Sequence, residues 1–153
     1  MSKNIISGVD RSRGSHDALA WSIELAREVG ATVHAVHVES RIALWGLSAV
    51  QIDIDAYLEE LKGFLNGVWT KPLRDADIPF YTQLVRGDPV TELLRIADSL
   101  DAFVIVAGRQ KQASAHDHSI GGTAHKLINR ANRPVTLVPP SPDQQPRDHS
   151  GRF

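Results

Sequence analysis

The sequence predicts an α/β domain built on a parallel, doubly wound sheet. Three observations point there. Five short apolar runs are spread along the chain, the segments between them carry helical periodicity, and the first, second and fourth runs are Val/Ile-rich with little polar alternation. Strands that are apolar on both faces belong in a sheet covered on both sides. Strands alternating with helices make right-handed crossovers between parallel neighbours. At 153 residues, with 42% hydrophobic and 23% charged side chains, the chain is long enough for one domain with a full core.

The first strand is read at 4–9, NIISGV. A helix follows over 15–30, with Ser15 as the expected cap. Leu19, Ile23 and Ala26 recur on one stripe with Trp21 and Leu25 beside it, and Gly30 closes the helix. The second strand is 32–38, TVHAVHV. His34 and His37 have opposite parity there and cannot share a face, so each is expected to be a hydrogen-bonded or edge residue and not a metal ligand. In the connection RIALWGLSAV, 41–50, Ile42, Leu44, Trp45 and Leu47 fall close together. Core filling is the first expectation for it, ahead of a pocket edge or a partner surface.

One long helical segment is read from about 52 to 73. Gly63 and Gly67 lie on one of its faces, expected to pack against the sheet, and Pro72 interrupts the pattern. PFYTQLV (79–85) is the third strand. DPVTELLRIADSL (88–100) is a helix with Asp88 as cap and Pro89 at its first position. The fourth strand is 102–107, the final helix runs from Gly122 or Thr123 to about Ala131, and PVTLV (134–138) is the last strand. Residues 1–138 then form the domain. Residues 139–153 hold half of the chain's eight prolines and almost nothing apolar, the composition of a disordered tail.

Bulk properties exclude several functions. A net charge of -1 gives no general attraction to nucleic acid or an anionic membrane, so any anion site is local. Cysteine is absent, which removes disulfides, thiolate metal sites and a Cys nucleophile. The apolar run at the N-terminus is too short for a signal peptide and no stretch is long enough to span a bilayer, so a cytoplasmic location is expected.

In open α/β sheets, ligands bind beyond the carboxyl ends of the strands, where the strand order reverses. With strands 1 and 4 adjacent at that point, the loop DRSRGS (10–15) and the loop starting at Gly108 open on one crevice. Asp10 then either accepts a hydrogen bond from a ribose hydroxyl or caps a turn or the first helix. Gly108 and the cluster Gly121, Gly122, Thr123 allow close approach of a phosphate to a helix N-terminus, with Arg109 and Lys111 adding charge. The alternative is a solvated loop with a glycine helix start. GxxxxGK[ST] is absent, and Gly8 and Gly14 are too far apart for GxGxxG. His116, Asp117 and His118 are read as incidental loop polarity, so no metal site is expected.

IISGVDRSRGSHDALAWS, VRGDPVTELL and ANRPVTLVP resemble the first strand and helix, the third strand and following helix start, and the closing strand of the universal stress protein family. The resemblance covers about residues 3 to 138 and implies the strand order 3-2-1-4-5. Members that bind ATP carry Gly, two residues, Gly, nine residues, then Gly followed by Ser or Thr. Gly108 and Gly121 match the first and third glycines. Lys111 replaces the second glycine, and Gly122 occupies the Ser/Thr position with Thr123 one residue late.

The resemblance further implies that Asp10 touches ribose, that the Val38 backbone reads adenine, and that Ala107, Gly108, Gly121, Gly122 and Thr123 line the phosphate path. Lys111 can itself meet a phosphate. The expected ligand is ATP or AMP, with Mg²⁺ accompanying ATP, in a regulatory or stress-response module that is homodimeric through its last strand. Turnover is not expected, because the crevice holds no acid–base pair. Two rivals keep the fold: a dimeric protein-interaction member that has lost nucleotide binding, and a slow ATP hydrolase.

Overall fold

The computed structural model describes residues 2–109 and 122–141. Strands β1 (Lys3–Gly8), β2 (Ala31–Glu39), β3 (Phe80–Arg86), β4 (Val104–Gly108) and β5 (Val135–Val138) form one parallel sheet in the order β3-β2-β1-β4-β5. Each lies within two residues of its expected bounds. The alternation of β1 divides the core between the two faces. Ile5 and Val9 pack with Val33, Val104 and Val106 under α1 (Arg13–Val29), α3 (Ile54–Asn66) and α4 (Lys71–Ala76). Ile6 packs with Val36 and Ile105 under α5 (Pro89–Ser99) and α6 (Gly122–Arg130). A central strand buried on both sides explains the unbroken apolar runs.

The helix signals hold at several positions. Gly30 ends α1 in the left-handed conformation at φ 65° and donates its N–H to the Ala26 carbonyl. Asp88 caps α5 by accepting from Thr91 N and Thr91 Oγ1 at 2.9 and 2.8 Å, and those bonds hold its carboxyl below the usual range. Pro89 stands in the first turn as expected.

The structure corrects four local expectations. The α1 cap is Ser12, whose hydroxyl accepts from Ser15 N at 3.2 Å. Ser15 is instead a buried third helical position. The segment read as one helix from 52 to 73 is α3, a short 3₁₀ turn at Val68–Thr70, and α4. It breaks at Gly67, where a Cβ would stand 2.6 Å from the Gly63 carbonyl oxygen, while Pro72 sits harmlessly in the first turn of α4. Gly63 faces open space and does not pack on the sheet. The fourth correction concerns 41–50, where core filling is limited to the half-buried Leu44. The segment forms helix α2 (Arg41–Ala49), capped by Ser40, and fully buries none of its residues.

The two β2 histidines do point to opposite faces, and both are bonded. His34 Nε2 lies 3.0 Å from Asn4 Oδ1, its ring stacks on Tyr81, and its Nδ1 is buried without a partner among the described residues. Nε2 must carry the proton, because Asn4 Oδ1 can only accept. Burial pushes the imidazole below its usual pKa of 6.5. The unfolded chain therefore binds a proton more readily than the folded one. The contribution of neutral His34 is complete above about pH 6.5 and is lost as pH falls from there toward the folded-state value. Calorimetric melting of His34→Gln should show a flatter fall of melting temperature between about pH 7 and 5 than the parent. An unchanged slope would assign the acid sensitivity elsewhere.

Candidate functional site

Parallel strands deliver every following helix with its N-terminus at the carboxyl edge of the sheet. Here the N-termini of α1, α5 and α6 meet around the gap between β1 and β4, where the order reverses. Their unpaired N–H groups and positive dipole ends make this the electropositive edge of the fold. A cleft of about 180 Å³ opens there. Val36, Val38, Leu93 and Leu127 supply apolar walls, and Asp10, Ser12, Ser15, His37 and Thr123 bring polar groups to its rim.

Asp10 is exposed at the end of β1. Its Oδ1 accepts from Ser12 N at 2.6 Å, and its own N–H donates to Ser15 Oγ at 2.8 Å. The turn reading of Asp10 is therefore observed, while capping of the helix belongs to Ser12. The second carboxylate oxygen has no partner among the described residues and stays available to a ligand hydroxyl.

Val38 owes its availability to the strand ladder. Parallel pairing alternates the side to which successive residues direct both backbone groups. Val36 O accepts from Val9 N on the β1 side, whereas Glu39 O accepts from Gly87 N on the β3 side. Val38 therefore faces β1, beyond the last rung of that ladder. The Val9 carbonyl that would have continued the ladder is taken by His37 Nδ1 at 2.8 Å. His37 is held by Glu39, whose Oε2 lies 3.2 Å from Nε2 and also accepts from Tyr57 Oη at 3.3 Å. Burial and the Glu39 carboxylate push the Tyr57 phenol above its usual pKa. The chain from Tyr57 through Glu39 and His37 to Val9 thus ends the β1–β2 ladder and leaves the Val38 N–H and carbonyl facing the cleft.

Gly108 closes the floor. A Cβ there would collide with the backbone of Gly14 in the first turn of α1, so the end of β4 and the start of α1 touch directly. The close approach observed at this glycine is that of α1, whereas the sequence reading expects the approach of a phosphate. Ala107 and Gly108 line the cleft beside Thr123, and Gly122 opens α6 without a Cβ of its own. Five of the expected residues therefore share one cleft: Asp10, Val38, Ala107, Gly108 and Thr123. Lys111 and Gly121 lie outside the described residues, as do His116, Asp117 and His118. Among the described residues no group of three His, Asp or Glu side chains could hold a metal, and no helix is long and apolar enough to cross a membrane.

Sequence reading missed Ser12, Pro89, Leu93 and Leu127. In an amphipathic helix a cleft-lining leucine is indistinguishable from a core leucine. Only the Asp88–Pro89 helix start, at the carboxyl edge by topology, carried a usable signal.

The chain matches the sequence model of the Universal stress protein family over residues 1–139. It is 27% identical over 139 residues to a universal stress protein of Methanocaldococcus jannaschii, spanning 89% of this chain and 81% of that one. Two solved structures share the fold. One is the universal stress protein from Archaeoglobus fulgidus in complex with dAMP, at 22% identity and TM-score 0.67, covering 90% of this chain and 98% of that one. The other is a universal stress protein in complex with cAMP, at 18% identity and TM-score 0.68, covering 92% and 98%. By the match over residues 1–139, this chain belongs to the universal stress protein family.

Proposed function

We propose that this chain binds an adenine nucleotide, ATP or AMP, in the β1–β4 cleft and acts as a regulatory, stress-responsive module. The observation that carries the reading is the convergence of a free Val38 backbone edge, the open Asp10 oxygen and the α6 N-terminus on one apolar-walled cleft. The relatives in complex with cAMP and dAMP support it. A flat base fits between Val36, Val38 and Leu93, with the Val38 N–H and carbonyl meeting its donor–acceptor edge. Asp10 receives a ribose hydroxyl. Gly108, Gly122 and Thr123 bring backbone and hydroxyl donors to the phosphates, with Lys111 and Gly121 assigned to the same path from sequence. Mg²⁺ would accompany ATP by neutralising phosphate charge.

Mass spectrometry of nucleotide released from freshly purified protein tests this reading, followed by calorimetric titration with ATP and AMP. Recovery of an adenine nucleotide and saturable binding are expected. Protein that carries none and binds neither would leave the rival, a protein-interaction member in which Lys111 and Gly122 have ended nucleotide binding.

We also propose a homodimer through β5. This strand is an edge of the sheet, and an apolar edge pairs with its own copy about a two-fold axis more readily than it stays bare. Val135 packs into the core beneath α5 and α6, whereas Leu137 is half-buried outside either core cluster. Leu137→Lys should therefore remove one association step and lower the sedimenting mass of a micromolar sample, with little loss of thermal stability. A parent protein that already sediments as a monomer would sink the proposal.

A further inference from the structure

Helix α2 is unusual among the helices of this chain because it is strongly apolar yet fully buries none of its residues: Leu44 packs partly against the core, Leu47 is half-buried, and the rest is exposed. Ile42 and Trp45 are 84% and 76% exposed, and Val50 and Ile52 just beyond the helix are 68% and 44% exposed. Residues 42–52 carry no charged side chain at all. Contiguous exposed apolar side chains of this size mark a surface that is covered in the working molecule. Gly46 adds to the case. A glycine inside a helix is unfavourable, and nothing in the chain stands within 4 Å of where its Cβ would be, so no internal packing requires it.

The surface has a distinct relief. Ile42, Trp45 and Ala49 follow the three- and four-residue spacing of one ridge, and Ala43 and Gly46 make a shallow groove beside it. A ridge next to a groove is self-complementary: turned about a two-fold axis, each ridge enters the other helix's groove. Charge agrees with that arrangement. Arg41, at the start of α2, is exposed and makes no ion pair with a described residue, while Asp53 and Asp55 are exposed just past the far end of the apolar stretch. Antiparallel docking sets Arg41 of one copy against Asp53 and Asp55 of the other at both ends of the contact. The same acidic residues disfavour an anionic lipid surface.

We infer that α2 is a self-association surface, pairing antiparallel with α2 of a second copy, with Trp45 as its centre. It follows β2, with β1 and β4 between that strand and β5, so it is separate from the edge-strand contact. Analytical ultracentrifugation over a concentration series tests it. Trp45→Glu should weaken one self-association step roughly tenfold or more, as loss of a central aromatic anchor does. Melting temperature should stay near the parent value, because Trp45 supports nothing within the chain. In a Leu137→Lys background, α2 pairing should survive as a dimer that Trp45→Glu removes.

Charge reversal adds a second readout. Arg41→Asp alone and Asp55→Arg alone should each weaken the step, and the two together should restore it. Masses unaffected by Trp45→Glu, or a double charge variant no better than the single ones, would overturn the inference. Flotation of the parent with neutral phosphatidylcholine vesicles, lost in Trp45→Glu, would overturn it in favour of a lipid surface.

Discussion

Valine in place of Gly108 should abolish nucleotide binding and lower the unfolding free energy by about 1–3 kcal/mol, the usual cost of overpacking. The cause is backbone against backbone: the added Cβ would run into the Gly14 carbonyl, and neither partner is a flexible side chain that can swing aside. β4 and α1 must part at the point where their ends form the floor of the cleft. Gly14→Ala is the matched control, since a Cβ there would stand 3.4 Å from the Arg109 carbonyl oxygen, tight but tolerable. Denaturant unfolding with nucleotide titration on both variants checks the expectation. A Gly108→Val protein of normal stability and affinity would mean that the contact between β4 and α1 is not needed.

Asp10→Ala should weaken nucleotide binding by about 1.5–3 kcal/mol, the range for a hydrogen bond to a charged group, and should cost little stability. Structure separates two roles that sequence left joined. Ser12 provides the side-chain cap of α1, and Asp10 supports only the turn before it. Ser12→Ala should accordingly lose about 1 kcal/mol of stability in a protein that can still bind. Measuring affinity and unfolding on both variants resolves the assignment. If Asp10→Ala binds as the parent does, the ribose contact is elsewhere; if Ser12→Ala melts unchanged, the cap contributes nothing.

How much of the site was legible depended on whether its signal was local. Asp10 and Gly108 stand at the ends of apolar runs, where a doubly wound sheet must place its crevice, and both are there. Pro89 and Asp88 marked a helix start for the same reason. His37 was expected only to be a hydrogen-bonded or edge residue, and its bond to the Val9 carbonyl joins residues far apart in sequence. No spacing rule announces that a side chain will take the last rung of a ladder. Leu93 and Leu127 carry the periodicity of any core leucine, and their place in the cleft follows from the packing of α5 and α6.

What the sequence determined by itself was the class of fold, the five strands, the approximate bounds of α1, α5 and α6, and the edge of the sheet at which the crevice opens. Hydrophobic period and terminal residues such as Gly30, Asp88 and Pro89 act over a few positions, so they can be read without neighbours in space. Tertiary structure alone decided that the segment 41–50 is a largely exposed helix that gives the core only Leu44. Apolar composition says only that burial is favourable, and α1, α3 and α4 already cover that face of the sheet. It also decided why Gly108 is glycine. Two backbones meet there from positions 108 and 14, and a contact between distant parts of the chain exists only once the sheet and its first helix have packed.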